Sequence, residues 1–352
     1  MRPASMPVVE QPPMPITEKI VDAFLRCEIK AYLKANSISS SPSELTRWQQ
    51  RVREKYREEC YEQLLSGSPA KWCSGTPDLG SLRSRRYQLI LDFVVALDEI
   101  HVRLDALMLT RSRTVRLDCP YIPVRCVPAE KLSTNDKLLL AFDAFAFSKA
   151  YGKMPRIGRI IHGRNHAVAS VSLSVLLRNI QRVLKTIEDQ QSNAGSPPVA
   201  LNKHCAECEF QTRCRQDAVQ KDDLSLLTTL SVKEQKKQHD KGIFTVLQLS
   251  YTFRPPTRSV RALPKHYPAL KALAIRKNQI HILGTPTFRL PSTPVYIDVE
   301  GDPDRDFYYL IGLRVASERR PLRFAYWADT EPTNARFGRT VFALWANSTV
   351  HT

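Results

Sequence analysis

Residues 87–109 read YQLILDFVVALDEIHVRLDALML. Two apolar runs, Tyr87–Leu97 and His101–Leu109, are separated by a short polar break. Each has strand length, and a third apolar run follows at Thr114–Val124. Outward from this centre the period changes. Upstream, Ile16 to about Leu33 carries Ile20, Ala23, Phe24, Cys27 and Tyr32 at helical spacing, with Thr17 placed to cap it. A charged helix is expected at 43–65, and SGSPAKWCSGTPDLGS (66–81) reads as loop. Downstream, Lys131–Tyr151 is a long apolar helix closed by Gly152. Ile157–Ile161 and Ala167–Leu173 read as strands and Leu176–Gln190 as a helix. Strands interleaved with helices in this way predict an α/β fold.

The chain has 352 residues, enough for about two to three domains. Hydrophobic residues make up 43% and charged residues 25%, the balance of an ordinary globular protein, which excludes global disorder and coiled-coil or collagen-like character. Asp92, Asp98 and Asp143 interrupt the longest apolar runs, so no bilayer-spanning helix is expected. The proline-rich lead (1–15) lacks the apolar core of a signal peptide. A cytoplasmic location follows as the expectation. The net charge of +17 calls for a polyanionic partner, and nucleic acid suits it better than a membrane.

Eight cysteines in such a protein point to metal or catalysis rather than disulfides. Five are scattered: Cys27, Cys60, Cys73, Cys119 and Cys126. Three are clustered in HCAECEFQTRC, as Cys205-x2-Cys208-x5-Cys214. Three close thiols can grip one soft metal ion or cluster, which then needs a fourth ligand. Cys27, on the first helix, is the natural candidate, and His204 is an alternative for zinc. Spacing leaves iron–sulfur and zinc both open.

After the cysteines the texture changes. Residues 224–250 read as a helical hairpin, with a Ser231-x-x-Glu234 capping box, a Gly242 stop and a Thr245 cap. Its glycine turn could offer backbone N–H groups to phosphates. Between 254 and 277 stand Arg254, Arg258, Arg261, Lys265, Lys271, Arg276 and Lys277 with no acid, near Tyr251, Phe253, His266 and Tyr267. Cations beside aromatics suit phosphate contact and stacking. VYIDVEGDPDRDFYYLIGL (295–313) reads as strand, turn and strand, Leu322–Trp327 as a third strand, and Phe337–Trp345 as a short helix.

One thiol on the first helix followed by C-x2-C-x5-C resembles the iron–sulfur RecB-family nucleases. The words ITEKIVDAFLRCEIKAYL, LNKHCAECEF, GIFTVLQLSYTFRP and VYIDVEGDPDRDFYYLIGL resemble a bacterial family of RecB-like nucleases, over about 16–345. Its members join a restriction-endonuclease-like α/β domain to a YprB-type ribonuclease H-like domain, sometimes with a helicase after it. The resemblance implies a [4Fe-4S] cluster on Cys27, Cys205, Cys208 and Cys214, nuclease activity on DNA, and a helicase or nuclease partner. It divides the chain into a lead (1–15), a RecB-like domain (16–220), a hairpin and basic connector (221–290) and an incomplete ribonuclease H-like domain (291–352).

Two acidic sites are then expected. A PD-(D/E)XK centre needs an Asp and, on the next strand, E-x-K holding Mg²⁺ or Mn²⁺ and an attacking water. Asp105 could be the first acid, but the following strand reads YIPVRC and lacks E-x-K. Arg125 could mimic the lysine charge yet cannot act as a base. Glu130 and Lys131 are adjacent and would point to opposite sides of a strand, and the Q-x-x-x-Y element is absent. This first site reads as degraded. The second is IDVEGDP, where Asp298 and Glu300 share a strand face and resemble the divalent-cation ligands of DEDD-type exonucleases. Asp302, Asp304 and Asp306 read as turn residues. Only 58 residues remain from Val295 to Thr352, too few to bring the later acids of such a site, with Asp329 and Glu331 too near the third strand. The expectation is a chain stopped short, or a site completed by a second chain. The leading functional expectation is metal-dependent phosphodiester hydrolysis in DNA repair or recombination. Its rival is a non-catalytic nucleic-acid-binding or scaffold protein with a structural iron–sulfur or zinc centre.

Overall fold

The computed structural model describes residues 14–38, 40, 44–67, 69–110, 119–192, 196–227, 230–254, 267–282, 294–302, 307–316 and 321–328. It is a mixed α/β structure in two compact units. One comprises Met1–Cys126, Ser133–Ile161 and Val168–Ile282, the other Val127–Leu132, His162–Ala167 and Leu283–Thr352.

The chain enters through β1 (Ile16–Thr17), then α1 (Glu18–Arg26), α2 (Glu28–Ala35) and α3 (Glu44–Ser66). Thr17 caps α1, accepting from the Ile20 N–H at 3.4 Å. The single helix expected over 16–33 is two, broken at Cys27, which is extended (φ −167, ψ 118). No proline or glycine causes the break. In a continuous helix the Arg26 carbonyl would accept from the Lys30 N–H. Here it accepts from Asn202 Nδ2 at 3.1 Å. Cys27 donates its N–H to Ala23 and accepts from Ala31, so each half keeps its hydrogen bonds.

The stretch 66–81, read as loop, contains β2 (Trp72–Ser74) and the start of α4 (Leu79–Arg83), which Asp78 caps by accepting from Ser81. Next come β3 (Leu89–Ala96), β4 (Ile100–Leu109), β5 (Tyr121–Val127), α5 (Thr134–Tyr151), β6 (Ile157–His162), β7 (Ala167–Ser172) and α6 (Ser174–Ser192). The third strand expected at Thr114–Val124 begins, among the described residues, only at Tyr121. The sheet runs β2-β3-β4-β5-β6-β7, with β1 pairing the start of β4 in parallel. It is mixed, because β2 runs parallel to β3 while β3–β4 and β4–β5 are antiparallel.

The middle of α5, Leu138 to Phe147, is buried on all sides except at Phe145 and is apolar except at Asp143, as an internal helix segment must largely be. Its Phe147 meets Phe93 of β3 edge-on at 5.6 Å and stacks on Tyr151 at 5.2 Å. Tyr56 and Cys60 of α3 pack with Leu89, Leu91, Ala106 and Val124. Tyr61 of α3 also reaches Asp92. Two successive β3 residues, Leu91 and Asp92, therefore engage α3, which strict alternation forbids. The break is at Asp92, whose φ of 57 is left-handed.

Beyond a 3₁₀ turn (Lys203–Glu207) lie α7 (Gln211–Gln220), a second 3₁₀ turn (Leu224–Leu226), α8 (Val232–His239), α9 (Val246–Ser250) and α10 (Pro268–Lys277). The expected caps form: Ser231 with Glu234, and Thr245 with Gln248. Leu224, Leu227, Leu230, Val246, Leu249 and Ala272 give this helical stretch its own core. In the second unit, β8 (Val295–Asp302), β9 (Phe307–Val315) and β10 (Leu322–Trp327) form an antiparallel sheet in the order β10-β9-β8. The expected helix at Phe337–Trp345 and the lead at 1–13 lie outside the described residues. Among the described residues, no helix is long and apolar enough to cross a membrane.

Candidate functional site: gathered thiols and a buried acid–arginine network

Segment 199–214 is fastened to the α1–α2 kink in three ways. Phe210 and Cys214 pack on Ile29 and Leu33 of α2. Lys30 and Lys34 reach Glu209 at 2.8 and 3.0 Å. Burial alone would raise the Glu209 carboxyl, but the two ammonium groups and its backbone hydrogen bond win and hold it at about 2. Asn202 supplies the third tie, through the Arg26 carbonyl.

This folding brings Cys27, Cys205, Cys208 and Cys214 to one cavity of about 330 Å³, with His204 also on its wall. Cys27 sits at the kink, Cys205 in the 3₁₀ turn, Cys208 just after it and Cys214 in α7. Cys205 Sγ accepts the Asn202 N–H at 3.2 Å. The Cys214 thiol is pushed up to about 11, first by burial and then by the neighbouring sulfurs of Cys208, Cys27 and Cys205. Burial likewise raises Cys208 and lowers His204. Among the described residues no group of three His, Cys, Asp or Glu side chains is set to hold a metal ion.

The second constellation is acidic. Asp105 is half-buried on β4 and accepts the Cys126 N–H at 2.8 Å. Arg125, where the next strand should carry its acid and lysine, is buried. Its Nη1 donates to Asp143 Oδ2 at 2.8 Å and its Nη2 to Glu18. Glu18 opens α1 and Asp143 lies in the middle of α5, so one guanidinium ties two helices to the sheet. The Asp143 carboxyl is pushed up to about 7, first by burial, with Glu18 and Asp105 adding to it against Arg125. Burial also raises Asp105, opposed by Arg125 and the Cys126 N–H. Asp143 Oδ1 is buried without a hydrogen-bond partner. Beside this network, Tyr61 donates to Asp92 Oδ1 at 2.6 Å, and Arg103 Nε donates to the same oxygen at 2.8 Å. Glu130 and Lys131 lie outside any strand, and Glu130 pairs with Arg164.

Glu18, Asp92 and Asp143 were not among the expected site residues. Asp143 carried a legible signal. An acid inside LLLAFDAFAF must be buried, and a buried acid needs a partner. Glu18 and Asp92 carried none, because their roles depend on Arg125 from a distant strand and on a left-handed backbone.

Asp298 and Glu300 stand two residues apart on β8, opposite Gly312 and Leu310 of β9, and both are exposed. A register irregularity follows directly after Glu300. Asp304, Asp306, Asp329 and Glu331 lie outside the described residues.

Of the basic stretch, Arg258, Arg261, Lys265 and His266 lie outside the described residues. Arg254 donates to the Tyr251 and Phe253 carbonyls, and Lys271, Arg276 and Lys277 lie on α10. The expected use of the Gly242 turn as a phosphate cradle is not supported. Its N–H groups serve the turn itself: Lys241 and Ile243 donate to Gln238, Gly242 to His239, and Phe244 and Thr245 to Gln248 Oε1.

No family model matches the chain, and no curated protein matches it.

Proposed function

We propose that this chain is a nucleic-acid-binding protein, its first unit a RecB-like fold whose acidic centre no longer hydrolyses phosphodiesters. The observation that carries the reading is Arg125, whose guanidinium is already bonded to both Glu18 and Asp143. Two carboxylates so engaged are not free to take a divalent cation. The acid-free cations of the 254–277 region supply the contact with DNA.

Cys27, Cys205, Cys208 and Cys214 would hold a [4Fe-4S] cluster, with zinc as the alternative. Such a centre supplies cross-links rather than turnover, fastening residues 202–214 to the α1–α2 kink. Anaerobically purified protein is expected to be brown, with about four irons per chain. Cys27→Ser and Cys214→Ser are expected to abolish that content. A colourless zinc protein would replace the cluster with zinc, and metal-free protein would remove the centre from the proposal.

A second reading is supported by the paired exposed carboxylates of β8. On that reading Asp298 and Glu300 belong to a ribonuclease H-like domain and hold Mg²⁺ or Mn²⁺ for hydrolysis, with a helicase or nuclease as working partner. A Mg²⁺/Mn²⁺ cleavage assay on single- and double-stranded DNA separates the two. No cleavage that depends on Asp105 is expected. Activity lost in Asp105→Ala overturns the first reading, and activity lost only in Asp298→Ala assigns hydrolysis to β8.

A further inference from the structure

From Lys241 to Ile297 the chain has no Asp or Glu and nine Lys or Arg residues. At the junction of α9 and α10 this acid-free stretch presents an aromatic ring. Tyr251 caps the end of α9 and is 63% exposed. The Arg276 guanidinium lies 4.3 Å from the ring centroid. That guanidinium is held in place by Nη1, which donates to Ser250 Oγ at 3.0 Å. Arg254 is anchored beside it on the Tyr251 and Phe253 carbonyls.

A tyrosine kept this exposed contributes little to packing, and nothing in the α9–α10 core requires an aromatic at this position. A ring with one face against a fixed cation and the other open to solvent has the chemistry of a stacking surface. Cations flanking it would meet the phosphates on either side of a stacked base. Bases inside a duplex have no free face, so the arrangement selects an unpaired one.

We infer that Tyr251, backed by Arg276, is a stacking platform for an unpaired base of single-stranded nucleic acid. The inference rests on the nucleic-acid reading above and adds to it the strand class and the contact residue.

The test is anisotropy titration of the full chain with a labelled oligothymidylate and with a labelled duplex of equal length. Tyr251→Ala is expected to lose about tenfold or more of its single-strand affinity, with little change on the duplex. Tyr251→Phe and Tyr251→Trp keep the ring and are expected to retain affinity. Arg276→Gln is expected to weaken binding and to lower the salt slope by about one. Single-strand affinity in Tyr251→Ala within about twofold of the parent chain, or an equal loss on both ligands, overturns the platform and leaves the nucleic-acid reading standing. An unaltered chain that binds neither ligand overturns both.

Discussion

Arg125→Ala is expected to destabilise the first unit by about 3–5 kcal/mol, more than any other single ionic substitution in it. Among the described residues the guanidinium is the one cation bonded to both Glu18 and Asp143, and Asp105 also faces it. Truncation leaves Asp143, 1% exposed, with neither of its oxygens bonded. It also opens a void where a planar side chain had filled the space between α1, α5 and β5. Protonation of the acids would soften the loss without replacing the packing or the link between helices. Lysine is a poor substitute, since one ammonium cannot spread over two carboxylates as a planar fork does. Arg103→Ala is the matched control. Its ion pair with Asp92 is about half-exposed on the arginine side, so the expected cost is under about 1 kcal/mol. Urea unfolding of the two variants checks the contrast. Similar midpoints would remove the buried network as a stabilising element. In a double-mutant cycle, Arg125→Ala with Asp143→Asn should cost less than the sum of the two changes, because the two residues share one buried hydrogen bond that either change alone disrupts.

How far the sequence carried the reading depended on the range of the interaction. Caps involve residues three apart, and Thr17, Ser231 and Thr245 were legible for that reason. Strands β3, β4, β6, β8, β9 and β10 were legible because each is a short apolar run between breaks. The break at Cys27 was not legible, since neither a proline nor a glycine marks it. What parts them is an amide from Asn202, far along the chain. β2 is three residues long with two exposed, too short to leave a periodic trace. The candidate site divides in the same way. Three cysteines could be chosen by their spacing and Cys27 by its place on the first helix, and all four line one cavity. The absent E-x-K could be read directly, but not what replaced it. Only the fold shows that Arg125 pairs with acids from two helices, and that Asp92 is turned toward Tyr61 by a left-handed backbone.

The same network should give the protein an unusual pH profile. Most paired carboxylates have lowered values and lose their contribution as pH falls, and Glu209, held at about 2, is of that kind. Its contribution is present above its unfolded value of 4.5 and is lost as the pH falls toward about 2. Asp143 has the opposite sign. Its carboxyl moves from 3.8 to about 7 on folding, so between those values the folded chain binds a proton that the unfolded chain has released. Stability must therefore fall as pH rises across that interval. Asp105, raised in the same direction by burial, adds to that fall. The groups facing Asp143 all belong to this cluster: Glu18 from α1, Asp105 from β4 and Arg125 from β5. Asp143→Asn holds the group uncharged and keeps an oxygen for the Arg125 guanidinium, so it should flatten the limb between about pH 4 and 7 without abolishing the fold. Thermal unfolding of the parent chain and Asp143→Asn across that range provides the check. If both melt with the same pH slope, Asp143 is not the titrating group. If the parent grows more stable from pH 4 to 7, the carboxyl is held ionised by Arg125, and the network is a balanced ion cluster instead of a proton-binding one.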